Sequence, residues 1–426
     1  MKNKENSLRD FYILWSTQGL SQLGSSMTAF ALTLWLYQKT GSALSTAALT
    51  ICTYAPYVLM SIFAGALTDR LSKKKTMLVC DLLAALCTLA VFMLYRTQQL
   101  DVWHLYAVNA VSGLMNTVQQ PASEVTLTLI VPKEQYQKVS GLNNLSRSLI
   151  SVLNPLIASA VYAAAGLETV IAIDLFSFLT AFGALAFLIE IDEPGRSHNE
   201  NALNMIKEGL SFLRKTPMIL NLILFMAGVN LISSAFNAAL PGYVIPNPKG
   251  GTGVYGIMTS ASGAAMVLGS LLVTMMPKPK DRVKAVFMTM AVSLGSENYI
   301  LAFSREPFIW VIAQIIGWIL VPVMSTNLEV ILRNEIPVEL QGRVYACRNS
   351  LQFFTIPVGL FCGGWMVDQV CEPFMKNHGE SEILKMLFGT GKGSGAAMMM
   401  FILGIAGTLL CILMGNRLKK YHYHEQ

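Results

Sequence analysis

The sequence predicts an all-α membrane protein: twelve transmembrane helices in two six-helix bundles. Three observations carry that prediction. First, the chain of 426 residues is 53% hydrophobic and only 13% charged, about half the charged share of a typical soluble domain. Second, the apolar residues fall in runs of about 20, the length an α-helix needs to cross a bilayer. Third, the second half of the chain repeats the first.

The apolar runs lie at 11–37, 45–67, 76–95, 103–130, 144–165, 170–189, 218–244, 254–276, 284–303, 308–331, 349–370 and 395–414. The first is too long for a signal-peptide core and has no small-residue cleavage site, so it counts as a span. Each run must be helical, because a segment crossing lipid has to satisfy its own backbone hydrogen bonds. Residues 1–189 then form one bundle, 190–217 a linker and 218–426 the other. In the linker, Leu203, Ile206, Leu210 and Leu213 recur at helical spacing. They predict an amphipathic helix lying at the membrane interface.

Twelve spans put both termini on one side. Of 31 Lys and Arg, 23 fall in the two termini and the loops on that side, and seven in the opposite loops. Basic residues mark the cytoplasmic side, so both termini are expected there. The net charge of +6 belongs to this asymmetry. The bases are dispersed without interleaved aromatics, so no nucleic-acid partner is expected. The seven cysteines are scattered, no C-x-x-C pair exists and the five histidines are dispersed. The cysteines read as small apolar residues, and no metal site is expected.

Residues 124–144, EVTLTLIVPKEQYQKVSGLNN, align without a gap with 329–349, EVILRNEIPVELQGRVYACRN. The shift is 205 positions. Glu124/Glu329, Val125/Val330, Leu127/Leu332, Pro132/Pro337, Glu134/Glu339, Val139/Val344 and Asn144/Asn349 are identical. Both stretches lie in the same loop of their half, between the fourth and fifth of six spans. The chain is therefore a tandem duplication, the plan of a large class of transporters whose substrate site lies at the midplane between halves.

Between spans two and three stands GALTDRLSKKK, residues 65–75, with one acid among four cations. As an exposed ion pair Asp69 contributes at most about 1 kcal/mol. A carboxylate at a helix end can also accept hydrogen bonds from the free N–H groups of another helix's first turn. The second-half counterpart of Asp69 is Thr274, so such a latch would be one-sided.

Gly65, Leu67, Asp69, Arg70, Lys73 and Lys74 resemble the loop 2–3 signature of the major facilitator superfamily, with Ser72 where that signature has a glycine. The stretches DRLSKKKTMLVCD, ending in Asp81, PKEQYQKVSGLNNLSRS, KEGLSFLRKTP and IPVGLFCGGWMVD resemble its twelve-helix drug–proton antiporters, the branch of macrolide-efflux-type and siderophore exporters. NPLIAS, with Asn154 and Pro155, occupies the place of the antiporter motif, whose proline it keeps. The resemblance implies gating by Gly65, Asp69, Arg70, Lys73, Lys74 and Asp81. It also implies a partner for Asp69 at the start of span eleven.

Ionisable residues inside a membrane are costly and mark function by default. Glu297, Glu124, Arg147 and Asp174 are the proton-coupling candidates. Glu297 is favoured because its first-half counterpart is Phe92, whereas Glu124 has a twin in Glu329 and reads equally well as a structural pair with Arg147. Polar residues recur at helical spacing in four spans. Gln18, Gln22 and Ser25 lie in span one, and Asn109, Asn116, Gln120 and Ser123 in span four. Asn230, Ser234 and Asn237 lie in span seven, and Gln314, Trp318 and Ser325 in span ten. Such residues face protein or water and not acyl chains. They either bond helix to helix or line a cavity, and the family resemblance implies a cavity on these four spans.

GTGKGSG at 389–395 fails the phosphate-loop pattern, since Gly393 follows Lys392. No Ser/His/Asp arrangement or HExxH occurs, so an enzyme is not expected. The sequence thus predicts a monomeric secondary transporter of a bacterial plasma membrane. It would export a hydrophobic drug-like molecule in exchange for protons, with no bound cofactor and only substrate and lipid as partners. Export of an endogenous metabolite such as a siderophore, or a non-transporting receptor or scaffold, are the alternatives.

Overall fold

Every stretch predicted to span the membrane is helical, and no strand occurs among the described residues. In a computed structural model, these are 4–70, 72–131, 135–189, 202–277, 279–378 and 381–418. Side chains are described outside 1–8, 61–71, 201–206 and parts of 121–141 and 338–346.

In the first half, α1 (Lys4–Thr40), α2 (Ala43–Arg70), α3 (Lys73–Arg96) and α4 (Val102–Ile130) each carry one predicted span. Pro56 lies inside α2. Spans five and six run on through α5 (Tyr136–Gly183) and a π-helical turn, Ala184–Leu188. The break between them is the single residue Gly166, at φ 78° and ψ 179°. A left-handed φ costs glycine nothing, so two spans join there without a loop.

After the linker helix α6 (Ala202–Lys215) come α7 (Pro217–Val244), α8 (Thr252–Met275) and α9 (Arg282–Phe303). Span ten is divided into α10 (Pro307–Ile319) and α11 (Val321–Glu335). Pro322, in the first turn of α11, has no N–H to continue the ladder of α10. Span eleven comprises α12 (Val338–Phe353), α13 (Thr355–Trp365), a π-helical turn at Met366–Cys371 and α14 (Glu372–His378). The short α15 (Glu382–Phe388) and α16 (Ser394–Leu418) complete the chain. Nine helical stretches among the described residues are long and apolar enough to cross a membrane, one of them, Leu142–Leu188, holding two predicted spans.

Two boundaries differ from expectation for one reason. The polar residues before spans five and eleven, expected in loops, are helical from Tyr136 and Val338 onward. Hydropathy registers only the part of a helix that lipid surrounds, so a polar extension is invisible to it.

By its contacts the chain forms two units. One comprises Met1–Leu36 and Cys52–Ala202, the other Tyr37–Ile51 and Leu203–Gln426. The core of the first gathers Phe11, Leu14, Met77, Ala122, Ile130, Val139, Leu185 and Ile189. In the second, the hairpin 37–51 packs Ala47 against Ala238 and Leu360. The linker helix docks within this unit. Leu213 is buried, Arg343 pairs with Glu208, and a Cβ on Gly209 would lie 2.6 Å from the Arg343 carbonyl oxygen.

α7 and α13 approach closely because α13 presents glycines. A Cβ at Gly363 would sit 2.6 Å from the Ala235 Cα, and one at Gly359 3.0 Å from the Leu231 Cα. Small residues spaced by four let membrane helices meet backbone to backbone. Gly363→Leu should therefore destabilise the purified protein by about 1–3 kcal/mol through overpacking. Gly253→Ala, with nothing within 4 Å of the added carbon, should leave the melting temperature unchanged.

Candidate functional site

In the first unit, a carboxylate joins three helices. Asp81 of α3 accepts from the Gln18 amide of α1 at 3.2 Å, and its second oxygen from the Gln119 amide of α4. Each oxygen thus has a neutral donor from a different helix. A second buried acid, Asp174, is 3% exposed and accepts from the Ser25 hydroxyl of α1 at 2.9 Å. Gly24 makes that approach possible, since a Cβ there would lie 3.0 Å from the Asp174 Cα. Asn109 of α4 accepts from Thr53 of α2 at 3.0 Å and donates to the Leu105 carbonyl.

Two signature residues have local duties. Lys74 donates to the Ala186 and Ile189 carbonyls at 3.1 and 2.6 Å, so a cation closes the last turn of span six. Ser72 has φ −63°, which any residue adopts, and its hydroxyl accepts from the Lys75 N–H to cap α3. The position needs no glycine, and serine serves as the N-cap.

In the second unit, Glu297 of α9 is 5% exposed. Its Oε1 accepts from the Trp318 indole of α10 at 3.0 Å. A glycine faces it: any Cβ at Gly317 would collide with the Glu297 side chain. One turn below, Ser293 donates to the Gly317 carbonyl at 2.5 Å. Gln314, one turn from Trp318, is 1% exposed and its Nε2 has no partner. Among the described residues no cation lies against Glu297. This site is therefore a carboxylate held by one neutral donor in a polar seam between two apolar helices. In α7, Asn230 donates to the Gln352 carbonyl of α12 at 3.2 Å.

The structure thus pairs residues that the sequence offered singly: Gln18 with Asp81, Ser25 with Asp174, and Trp318 with Glu297. Gln22, Asn116, Gln120 and Asn237 are exposed, whereas Ser234 is buried. Arg147 is exposed on α5. Pro155 is buried beside Asn154, whose Oδ1 is buried without a partner. The side chains of Gly65, Asp69, Arg70 and Glu124 lie outside the described residues, and with them the proposed Asp69 latch and the Glu124–Arg147 pair. Sequence reasoning missed Gln119, whose neighbour Gln120 fits the helical spacing. It also missed Asp368 and Glu372, which stand at a span end where hydropathy is uninformative.

The Asp81 clamp makes a specific prediction. Gln119→Leu or Gln18→Leu leaves one carboxylate oxygen without its donor, at a cost of about 1–3 kcal/mol. Both variants should melt lower than wild type in detergent. If Asp81→Leu is combined with both, part of the loss should return, because no polar group is then left unpaired.

The profile of the Major Facilitator Superfamily matches residues 14–359. The chain is 26% identical to macrolide efflux protein A of Streptococcus pyogenes over 378 residues, 87% of this chain and 92% of that one. It is 24% identical to the multidrug efflux pump Tap of Mycolicibacterium fortuitum over 358 residues, 81% and 86% of the two chains. Among solved structures, a bacterial homologue of the human lysosomal transporter Spinster, inward-facing and unoccupied, superposes with a TM-score of 0.69. That match has 13% identity and covers 100% of both chains. A twelve-span helical fold and a family match over most of its length place this chain in the major facilitator superfamily, and it is a multi-pass membrane transporter.

Proposed function

We propose that the chain exports a hydrophobic, drug-like molecule across the bacterial plasma membrane in exchange for protons, by alternating access, with both termini in the cytoplasm. The observation that carries the export reading is the likeness to macrolide efflux protein A over nearly the full length of both chains. The coupling reading rests on Glu297. An ionisable group sealed in the membrane-spanning part of the second unit is expensive to keep without a task, and Gly317 clears the space it occupies. Asp174, which accepts from the Ser25 hydroxyl, is the equivalent candidate of the first unit. The transmembrane proton gradient supplies the energy, so the cycle needs no bound cofactor, and one chain supplies the whole pathway.

The substrate side of the reading draws on the polar residues of α1, α4, α7 and α10. Several of them are committed to neighbours, as Asn109 is to Thr53. Gln22, Asn116 and Asn237 are exposed and are the ones we assign to meet a substrate. None carries charge, which suits a bulky and mostly apolar molecule.

An efflux-deficient host expressing the chain should show raised minimum inhibitory concentrations for macrolides or other lipophilic drugs, and an ionophore that collapses the proton gradient should cancel the increase. A flat panel would instead favour an endogenous metabolite as substrate.

Glu297→Gln should bring energised efflux down to the level of vector-only cells while preserving substrate exchange at equal concentrations in vesicles. Loss of both activities, or of neither, would rule out Glu297 as the coupling group.

A further inference from the structure

We propose that Asp368 is a latch that clamps the hairpin between α1 and α2 to the second unit, and that its release frees this end of the molecule to open. The positive-inside pattern assigns this end to the outer face of the membrane. What the release accomplishes rests on the alternating-access reading above; the clamp itself does not.

The hairpin belongs to the first half in sequence, yet residues Tyr37–Ile51 pack with the second unit. Gly41, at φ 63°, turns the chain between α1 and α2. The next residues open α2, and a helix start leaves its first N–H groups without partners. Asp368 supplies the acceptors. Its Oδ1 takes the Ala43 N–H at 3.1 Å, and its Oδ2 takes the Leu44 N–H at 2.9 Å and the Ser42 hydroxyl at 2.6 Å. A carboxylate before a helix N-terminus also gains from the helix dipole. No ion pair to Asp368 occurs among the described residues, and its contacts here are with the start of α2.

The surrounding backbone is shaped for this contact. A Cβ on Gly364, one turn before Asp368, would lie 2.6 Å from the Leu44 Cα. Asp368 itself sits in the π-helical turn Met366–Cys371. Such turns re-aim side chains and concentrate at functional places.

One turn further, Glu372 does the same for a different helix. It accepts from the Gly393 and Ala396 N–H groups at 2.9 and 3.3 Å and so caps α16. Two like charges four residues apart repel, and each is offset by its own helix start. α16 and α14 belong to the second half in sequence, so the Glu372 cap joins neighbours. The Asp368 cap joins a first-half helix to a second-half one. The repeat makes it one-sided: the first-half counterpart of Asp368 is Ala163.

Hydrogen exchange on the purified full-length protein reads the clamp directly, without substrate or a proton gradient. Asp368→Ala should speed exchange of the amides of residues 43–48 by at least about fivefold, the equivalent of one net hydrogen bond. Exchange at 393–397 should be unaffected. Glu372→Gln should do the reverse. Unchanged exchange at 43–48 in a variant that melts like wild type would refute the clamp. If Asp368→Ala does not fold, Asp368→Asn keeps the shape and replaces one acceptor oxygen, leaving the Ser42 cap on the Ser45 N–H in place. It should speed Ala43 or Leu44 in the same direction, and unchanged rates at both refute the clamp equally. To test the opening, Ala47→Cys places a thiol at a position 3% exposed. A membrane-impermeant maleimide added to intact cells should label it, above the reporter-free chain, several-fold more with Asp368→Ala than without. Faster exchange without increased labelling would reduce Asp368 to a local cap and overturn its role as a latch.

Discussion

A helix end in a membrane protein has backbone groups that its own helix cannot satisfy, and lipid offers no water to satisfy them. Four charged residues of this chain answer that constraint. Lys74 closes the carbonyls at the end of span six. Asp281 caps α9 through the Lys284 N–H, and Glu372 caps α16. Asp368 caps α2. Each side chain reaches a helix distant from it in sequence or its own first turn, and the pattern of reach decides which helices are tied together. The fold and the candidate switch are thus made of the same interaction, differing only in whether the partners belong to the same repeat.

The acids that avoid helix ends form a second class. Asp81, Asp174 and Glu297 all accept from neutral donors: two amides, a hydroxyl and an indole. Asp81 has both oxygens occupied and ties α1, α3 and α4, which is the behaviour of a structural node. Asp174 and Glu297 are deeply buried, and each is packed against a glycine whose missing side chain admits it.

Much of the architecture was readable in the sequence because lipid imposes it: length and hydropathy mark most of the helices, and the ungapped repeat points to the duplication. What hydropathy cannot register is helix outside lipid, hence the polar starts of α5 and α12. Nor does it resolve helix breaks caused by one residue, as at Gly166 and before Pro322. For the site, composition picked out the unusual residues but not their partners. Ser25 and Asp174 lie 149 positions apart, and no periodicity in either helix relates them. Glu297 and Trp318 were each singled out for a different role, one as proton carrier and one as cavity wall, and only geometry shows them bonded. Asp368 stood in a stretch whose resemblance was noted, yet its function depends on a helix start 324 positions earlier.

The membership of α2 has a mechanical corollary. The change from one unit to the other falls between Ile51 and Cys52, within a single continuous helix. Four residues beyond Cys52 stands Pro56, whose missing N–H leaves the Cys52 carbonyl without its helical donor. The ladder therefore lacks a rung at the joint between units. A helix is stiff along its length and most compliant where a bond is missing. Bending of α2 is easiest there, at a point where one hydrogen bond of the ladder is already absent.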